Sequence, residues 1–139
     1  MWRIVALVVL VPPLLSGCAF FEYFGLVPRA HETVSFNSAF TDAEILTAVE
    51  RCALTANLGV WSRNGLEVTR RSVNDGVIEL GPWRESNVAG YAVRASIDRR
   101  KSRLRLVVKG AGPYYSKLPV DEAVQLLSQY LSESIGDRT

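Results

Sequence analysis

Residues 90–98 and 102–109 alternate apolar and polar side chains almost without a break, and this period of two decides most of what the chain can become. Tyr91, Val93, Ala95 and Ile97 stand between Ala92, Arg94, Ser96 and Asp98, while Leu104, Leu106 and Val108 stand between Arg103, Arg105 and Lys109. A helix would scatter those apolar residues around its circumference, whereas a strand gathers them on one face. The polar turn Arg99-Arg100-Lys101 joins the two runs. Upstream, Leu66 and Val68 alternate with Glu67 and Thr69, Asn74-Asp75-Gly76 carries a turn signal, and Val77-Ile78-Glu79-Leu80 is a short strand-like run. Four strands are therefore predicted, near 66–72, 77–80, 90–98 and 102–109. Such alternation buries one face and wets the other, as in an antiparallel sheet. Gly81-Pro82-Trp83 to Ala89 reads as a loop.

The flanks change period. Thr41-Asp42-Ala43-Glu44 fits a capping box, in which Thr41 and Glu44 satisfy each other's free backbone N–H groups, and Phe40 and Ile45 occupy the hydrophobic-staple positions. Ile45, Val49, Cys52 and Ala56 then make a helical stripe. A helix is predicted over 42–57, with Gly59 as a left-handed cap. A second stripe, Ala123, Leu127, Tyr130 and Leu131 with Leu126 and Ile135, runs from Pro119 to Gly136. Glu32 to Phe40 is a candidate lead strand. The expected fold is α+β: a two-layer sandwich in which a four-stranded antiparallel meander carries both helices on one face, in the order α-β-β-β-β-α. Apolar residues make up 48% of the 139-residue chain and its formal charge is only +2. That balance argues against disorder and against a strongly basic nucleic-acid binder. Two cysteines cannot staple a disulfide scaffold.

The amino terminus is built differently. Met1-Trp2-Arg3 carries one positive charge, Ile4 to Leu15 is almost wholly apolar, and Ser16-Gly17-Cys18 follows. These are the three parts of a secretory signal. The apolar run, about 12 residues, is well short of the roughly 20 that span a bilayer, and Pro12-Pro13 would break a membrane helix. Leu15-Ser16-Gly17-Cys18 resembles the lipobox of bacterial lipoproteins at all four positions. The resemblance implies cleavage before Cys18, a thioether-linked diacylglycerol on its sulfur and an acyl chain on its new amine, with no other cofactor. Ala19 follows the cysteine where an acidic residue is absent; in such lipoproteins this implies passage to the outer membrane, with the protein on its periplasmic face. The expected divisions are a signal peptide at 1–17, a lipidated tether at 18–33, one domain at 34–136 and a tail at 137–139. The tether carries Phe20, Phe21, Tyr23 and Phe24. Two placements are open for these rings: on the bilayer surface, where aromatic side chains favour the headgroup region, or packed against the domain.

The domain itself resembles small α-β4-α envelope lipoproteins of TATA-box-binding-like shape, and the repeated domains of the outer-membrane assembly lipoprotein BamC. The matching residues are Gly65-Leu66-Glu67-Val68, Asp75-Gly76-Val77-Ile78, and Tyr130 with Leu131, within a stretch of roughly 41–135. Asp75 is followed at once by Gly76, where the pattern has two intervening residues. The resemblance implies an accessory envelope role and carries over no site residues.

No catalytic constellation stands out. His31 is the one histidine and lies in the tether, so neither a metal site nor a serine nucleophile with its base is expected. Glu67 and Glu79 are the one carboxylate pair considered for neighbouring strands. Cys52 falls in the helical stripe as a small hydrophobe. Arginine outnumbers lysine 13 to three. Arg71, Arg94, Arg103, Arg105 and Lys109 are expected on the wet face of the sheet. Arginine's planar fork suits phosphates and carboxylates, so this face is either a seat for an anionic partner or a charged face that resists sheet stacking. Trp83 either anchors a partner or covers an end of the core. The expected function is binding or scaffolding in the cell envelope, without catalysis and without nucleic acid. Lipid headgroups, lipopolysaccharide, peptidoglycan or another envelope protein are the candidate partners. The alternative is a carrier or sensor holding a small apolar or anionic ligand between helices and sheet.

Overall fold

A computed structural model describes the chain over residues 27–60, 65–85, 90–111 and 118–137. The lipobox with Cys18 and the rings of Phe20, Phe21, Tyr23 and Phe24 lie outside the described residues. Seven elements follow in order: β1 (Arg29–Ser35), α1 (Asp42–Thr55), β2 (Val68–Ser72), β3 (Val77–Leu80), β4 (Gly90–Asp98), β5 (Arg103–Ala111) and α2 (Val120–Ile135). The class is α+β, with one antiparallel sheet and two helices.

The sheet has five strands, in the order β1-β5-β4-β3-β2, rather than the expected four. The added strand begins three residues before the candidate lead segment and takes in residues assigned to the tether. It pairs antiparallel with β5, from Arg29 opposite Lys109 to Ser35 opposite Arg103. Its pattern is faint because it is an edge strand whose inward positions are Ala30, Glu32 and Val34, and only Val34 of these is fully buried.

Both helices cover one face, α2 over β1 and β5 and α1 over β3 and β4, and they touch each other. The core between the layers is filled by Ile45, Leu46, Val49, Ile78, Leu80, Tyr91, Leu106 and Leu127, all essentially inaccessible. Fully burying a leucine or isoleucine side chain stabilises the fold by about 1.5–3 kcal/mol, so this layer holds the sandwich shut.

Local chemistry fixes the joints. The capping box at the start of α1 is formed, with the Glu44 amide donating to Thr41 Oγ1 (3.2 Å) and the Thr41 amide donating to Glu44 Oε1 (3.0 Å). These bonds hold the Glu44 carboxyl below its ordinary range, the Thr41 backbone being the main cause. The helix ends at Thr55, and Asn57 rather than Gly59 takes the positive φ, at 59°. Asparagine tolerates that region through its short polar side chain. Arg99, in the β4–β5 turn, donates to Asp42 Oδ1 (3.0 Å) and to the Phe40 carbonyl (2.9 Å), which ties the turn to the start of α1. The Tyr91 hydroxyl donates to the Leu118 carbonyl and accepts from its amide, fixing the approach to α2. Gly81 has a φ of 72°, and a Cβ there would stand 2.9 Å from the Tyr91 carbonyl oxygen, so the sheet closes over a position that only glycine fits.

Candidate functional site

Among the described residues, the sheet face turned away from the helices is not covered by another helix or strand. Its residues follow from register. Opposite partners share a face, so Arg29 with Lys109, Thr33 with Arg105, Arg94 with Glu79, and Glu79 with Arg70 all belong to it.

At its centre is Glu79, whose side chain is 3% exposed. Three guanidinium groups surround the carboxylate: Arg84 at 3.2 Å, Arg94 at 3.4 Å and Arg70 at 3.6 Å. Arg70 also reaches Asp75 at 3.0 Å. One buried carboxylate thus gathers three cations, each with its fork partly in water. The Nε of Arg94 lies beside the carboxylate without a hydrogen bond of its own. Positive charge at this site exceeds what Glu79 neutralises.

Beside it, Trp83 lies over the face instead of standing free. Its ring packs on Ala92 and Val27 and takes Lys109 Nζ at 4.8 Å and the Arg29 guanidinium at 5.6 Å. A cation over an indole face is attracted by the ring quadrupole. Lys109 is only 4% exposed and donates to the Glu85 carbonyl (3.1 Å). Burial pushes its pKa down, and Arg29 adds to that, while Glu79 and Glu85 oppose it. At the far end, Thr33, Ser96, Asp98, Lys101, Arg103 and Arg105 line a shallow groove of ≈ 250 Å³. Arg105 Nη2 stands 3.4 Å from His31 Nδ1.

The structure brings together Arg94, Arg103 and Arg105 on this face as the sequence suggests. Two of the expected residues do not belong to an accessible anion seat. Arg71 lies on the helix side, where it donates to the Ala43 carbonyl (3.2 Å) and Thr47 Oγ1 (3.1 Å) of α1. The cause is a bulge between Val68 and Arg70, which reverses the alternation and turns Arg70 to the open face in its place. Lys109 is on the expected face but is shut in by the Trp83 loop. Glu67 and Glu79 do not confront each other: Glu67 precedes β2, and Glu79 is opposite Arg70. Arg29, Arg70 and Arg84 were missed, the first because its strand was read as tether, the second through the bulge, the third because a loop gives no register.

The rest of the surface is less suited to chemistry. A second groove, ≈ 290 Å³, runs between the helices past Thr47, Arg51 and Ser134. Cys52 is buried, and burial pushes its thiol up, away from the reactive thiolate. Among the described residues no cluster of three or more His, Cys, Asp or Glu is placed to hold a metal ion, and no helix is long and apolar enough to cross a membrane. Comparison with family models, with curated proteins and with solved structures finds no match for this chain.

Proposed function

We propose that this chain is a lipoprotein of the outer membrane, held on its periplasmic face by acyl chains on Cys18. It works there as a non-catalytic binding or scaffolding accessory of the envelope. The observation that carries the reading is Leu15-Ser16-Gly17-Cys18 behind a short apolar run with a charged start. Two or more acyl chains give stable anchoring, since each buried methylene contributes about 0.8 kcal/mol. The rings of Phe20, Phe21, Tyr23 and Phe24 would add interfacial contacts next to the lipid.

Binding is assigned to the open sheet face, through Arg94, Arg103 and Arg105 with Arg70, and the partner is an anionic component of the envelope. A ligand held between helices and sheet would have to displace side chains such as Leu46, Leu80 and Leu127, which are fully buried. The carrier alternative therefore has less to support it. The anchor is tested by feeding cells labelled palmitate. The wild-type chain should take up label and sediment with membranes, and Cys18→Ala should take up none. Equal labelling of both chains, or of neither, sinks the reading.

A further inference from the structure

We propose that the open sheet face lies against the bilayer that holds the anchor, with its arginines on lipid phosphates. The inference rests on the anchored reading above and goes beyond it by naming the partner and the orientation.

Two independent observations carry it. The first is charge. Arg29, Arg70, Arg94, Arg103, Arg105 and Lys109 occupy the open face, with Arg84 at its rim, against Glu79, Asp98, the Asp75 paired with Arg70 and the Glu85 beside Lys109. The helical layer has the opposite sign even with Arg71 and Arg99 reaching α1 from the sheet: α1 carries Asp42, Glu44 and Glu50 with Arg51, and α2 carries Asp121, Glu122 and Glu133 with no basic residue. A chain of formal charge only +2 is thus strongly polarised across its two layers. Near an anionic surface such a molecule turns its sheet inward and its helices outward.

The second is where the chain enters. Val27, the first described residue, packs on Ala92 and Trp83, both on the open face. The described residue nearest to Cys18 in the chain is thus placed on that face. Nine residue steps separate Cys18 from Val27, which span at most about 30 Å in any conformation. An anchor on Cys18 would therefore stand within about 30 Å of a residue seated on the basic face. The guanidinium forks are geometrically matched to phosphate oxygens, and Trp83 is the aromatic residue of the face nearest to the tether.

The test uses the purified, anchor-bearing full chain in vesicles of phosphatidylcholine alone and of phosphatidylcholine mixed with phosphatidylglycerol. A reporter thiol is introduced on the open face as Thr33→Cys or on the outer side of α2 as Gln125→Cys, both at exposed positions. Maleimide labelling is read against the parent chain, whose buried Cys52 sets the background. Expected is flotation with both vesicles and slower labelling of Thr33→Cys only on the anionic ones. Gln125→Cys should be unaffected, and the protection should fade in high salt as the charges are screened. Each basic residue near an anionic membrane surface favours binding about fivefold. The pair Arg103→Glu and Arg105→Glu should therefore weaken the docked state by at least about 25-fold. Flotation with both vesicles and equal labelling of Thr33→Cys on each overturns the docking and leaves the anchor standing. Flotation with the anionic vesicles alone, with Thr33→Cys protected, supports the docking and removes the anchor. Flotation with neither overturns both.

Discussion

At the scale of single residues, Glu79 and Lys109 carry charge into poorly hydrated places, and they do so with unequal support. Glu79 is held by three arginines, so removing its charge leaves guanidinium groups crowded without a counter-ion. Glu79→Gln should lower stability by about 1–2 kcal/mol, the arginines being partly in water, read as a shift of the urea midpoint. Lys109 has no carboxylate in hydrogen-bonding contact and is covered by indole. Its pKa lies below the ordinary 10.5 in the folded protein. Between that lowered value and 10.5 the unfolded chain binds more protons, so stability rises with pH across this window. Below the window the full penalty of burying the cation persists. Arg29, Glu79 and Glu85 are the charged groups around it. Lys109→Met keeps the stem on Trp83 and removes the proton. Its unfolding free energy should lack the alkaline rise that the wild type shows in denaturant titrations from neutrality upward.

At the scale of elements, the bulge in β2 decides which of two neighbouring arginines faces the helices and which the open side of the sheet. Thr69 is its extra residue, and its hydroxyl donates to the Gly81 carbonyl at 2.9 Å. Deleting Thr69 would remove the bulge and leave Arg70 opposite Glu79 and Arg71 opposite Ile78, so both arginines would keep their faces and their contacts. The bonds of the Thr69 hydroxyl would be lost. The deletion should therefore cost less stability than Arg70→Ala and Arg71→Ala together, as measured by thermal unfolding of the three variants. This is also where the sequence stops being readable. Strands β3 and β4 stand where alternation put them, because each is hydrogen-bonded on both sides and one of its faces is packed against helices. The capping box marked the start of α1 because its bonds are local, between Thr41 and Glu44. A bulge leaves no periodic trace, since one inserted residue looks like noise in a five-residue strand. β1 gave little signal because an edge strand with Glu32 at an inward position buries few side chains. The open face could be foreseen in outline, through Arg94, Arg103 and Arg105. The seating of Trp83 on Lys109 could not, since it depends on a loop folding back over two strands.

At the scale of the whole molecule, one core must hold two layers whose outer surfaces carry opposite charge. Leu106 lies in that core, fully buried on β5. Leu106→Ala should cost about 2–5 kcal/mol. A domain of this size has about 5–15 kcal/mol in total, so the variant should populate unfolded chain measurably at growth temperature, read by circular dichroism. The pairing of β1 with β5 has a further consequence, for the order in which the fold is assembled. Arg29 meets Lys109 and Ser35 meets Arg103, so these partners are separated by about seventy residues or more of intervening chain. Ribosomes deliver the amino terminus first, and the strand made first therefore waits for the strand made last. Until β5 has formed, β1 has no neighbouring strand to pair with. Once β5 is in place, the same segment pairs along its outer side and draws Val27 down onto Trp83. Completion of the sheet and the seating of Val27 on Trp83 are then a single event.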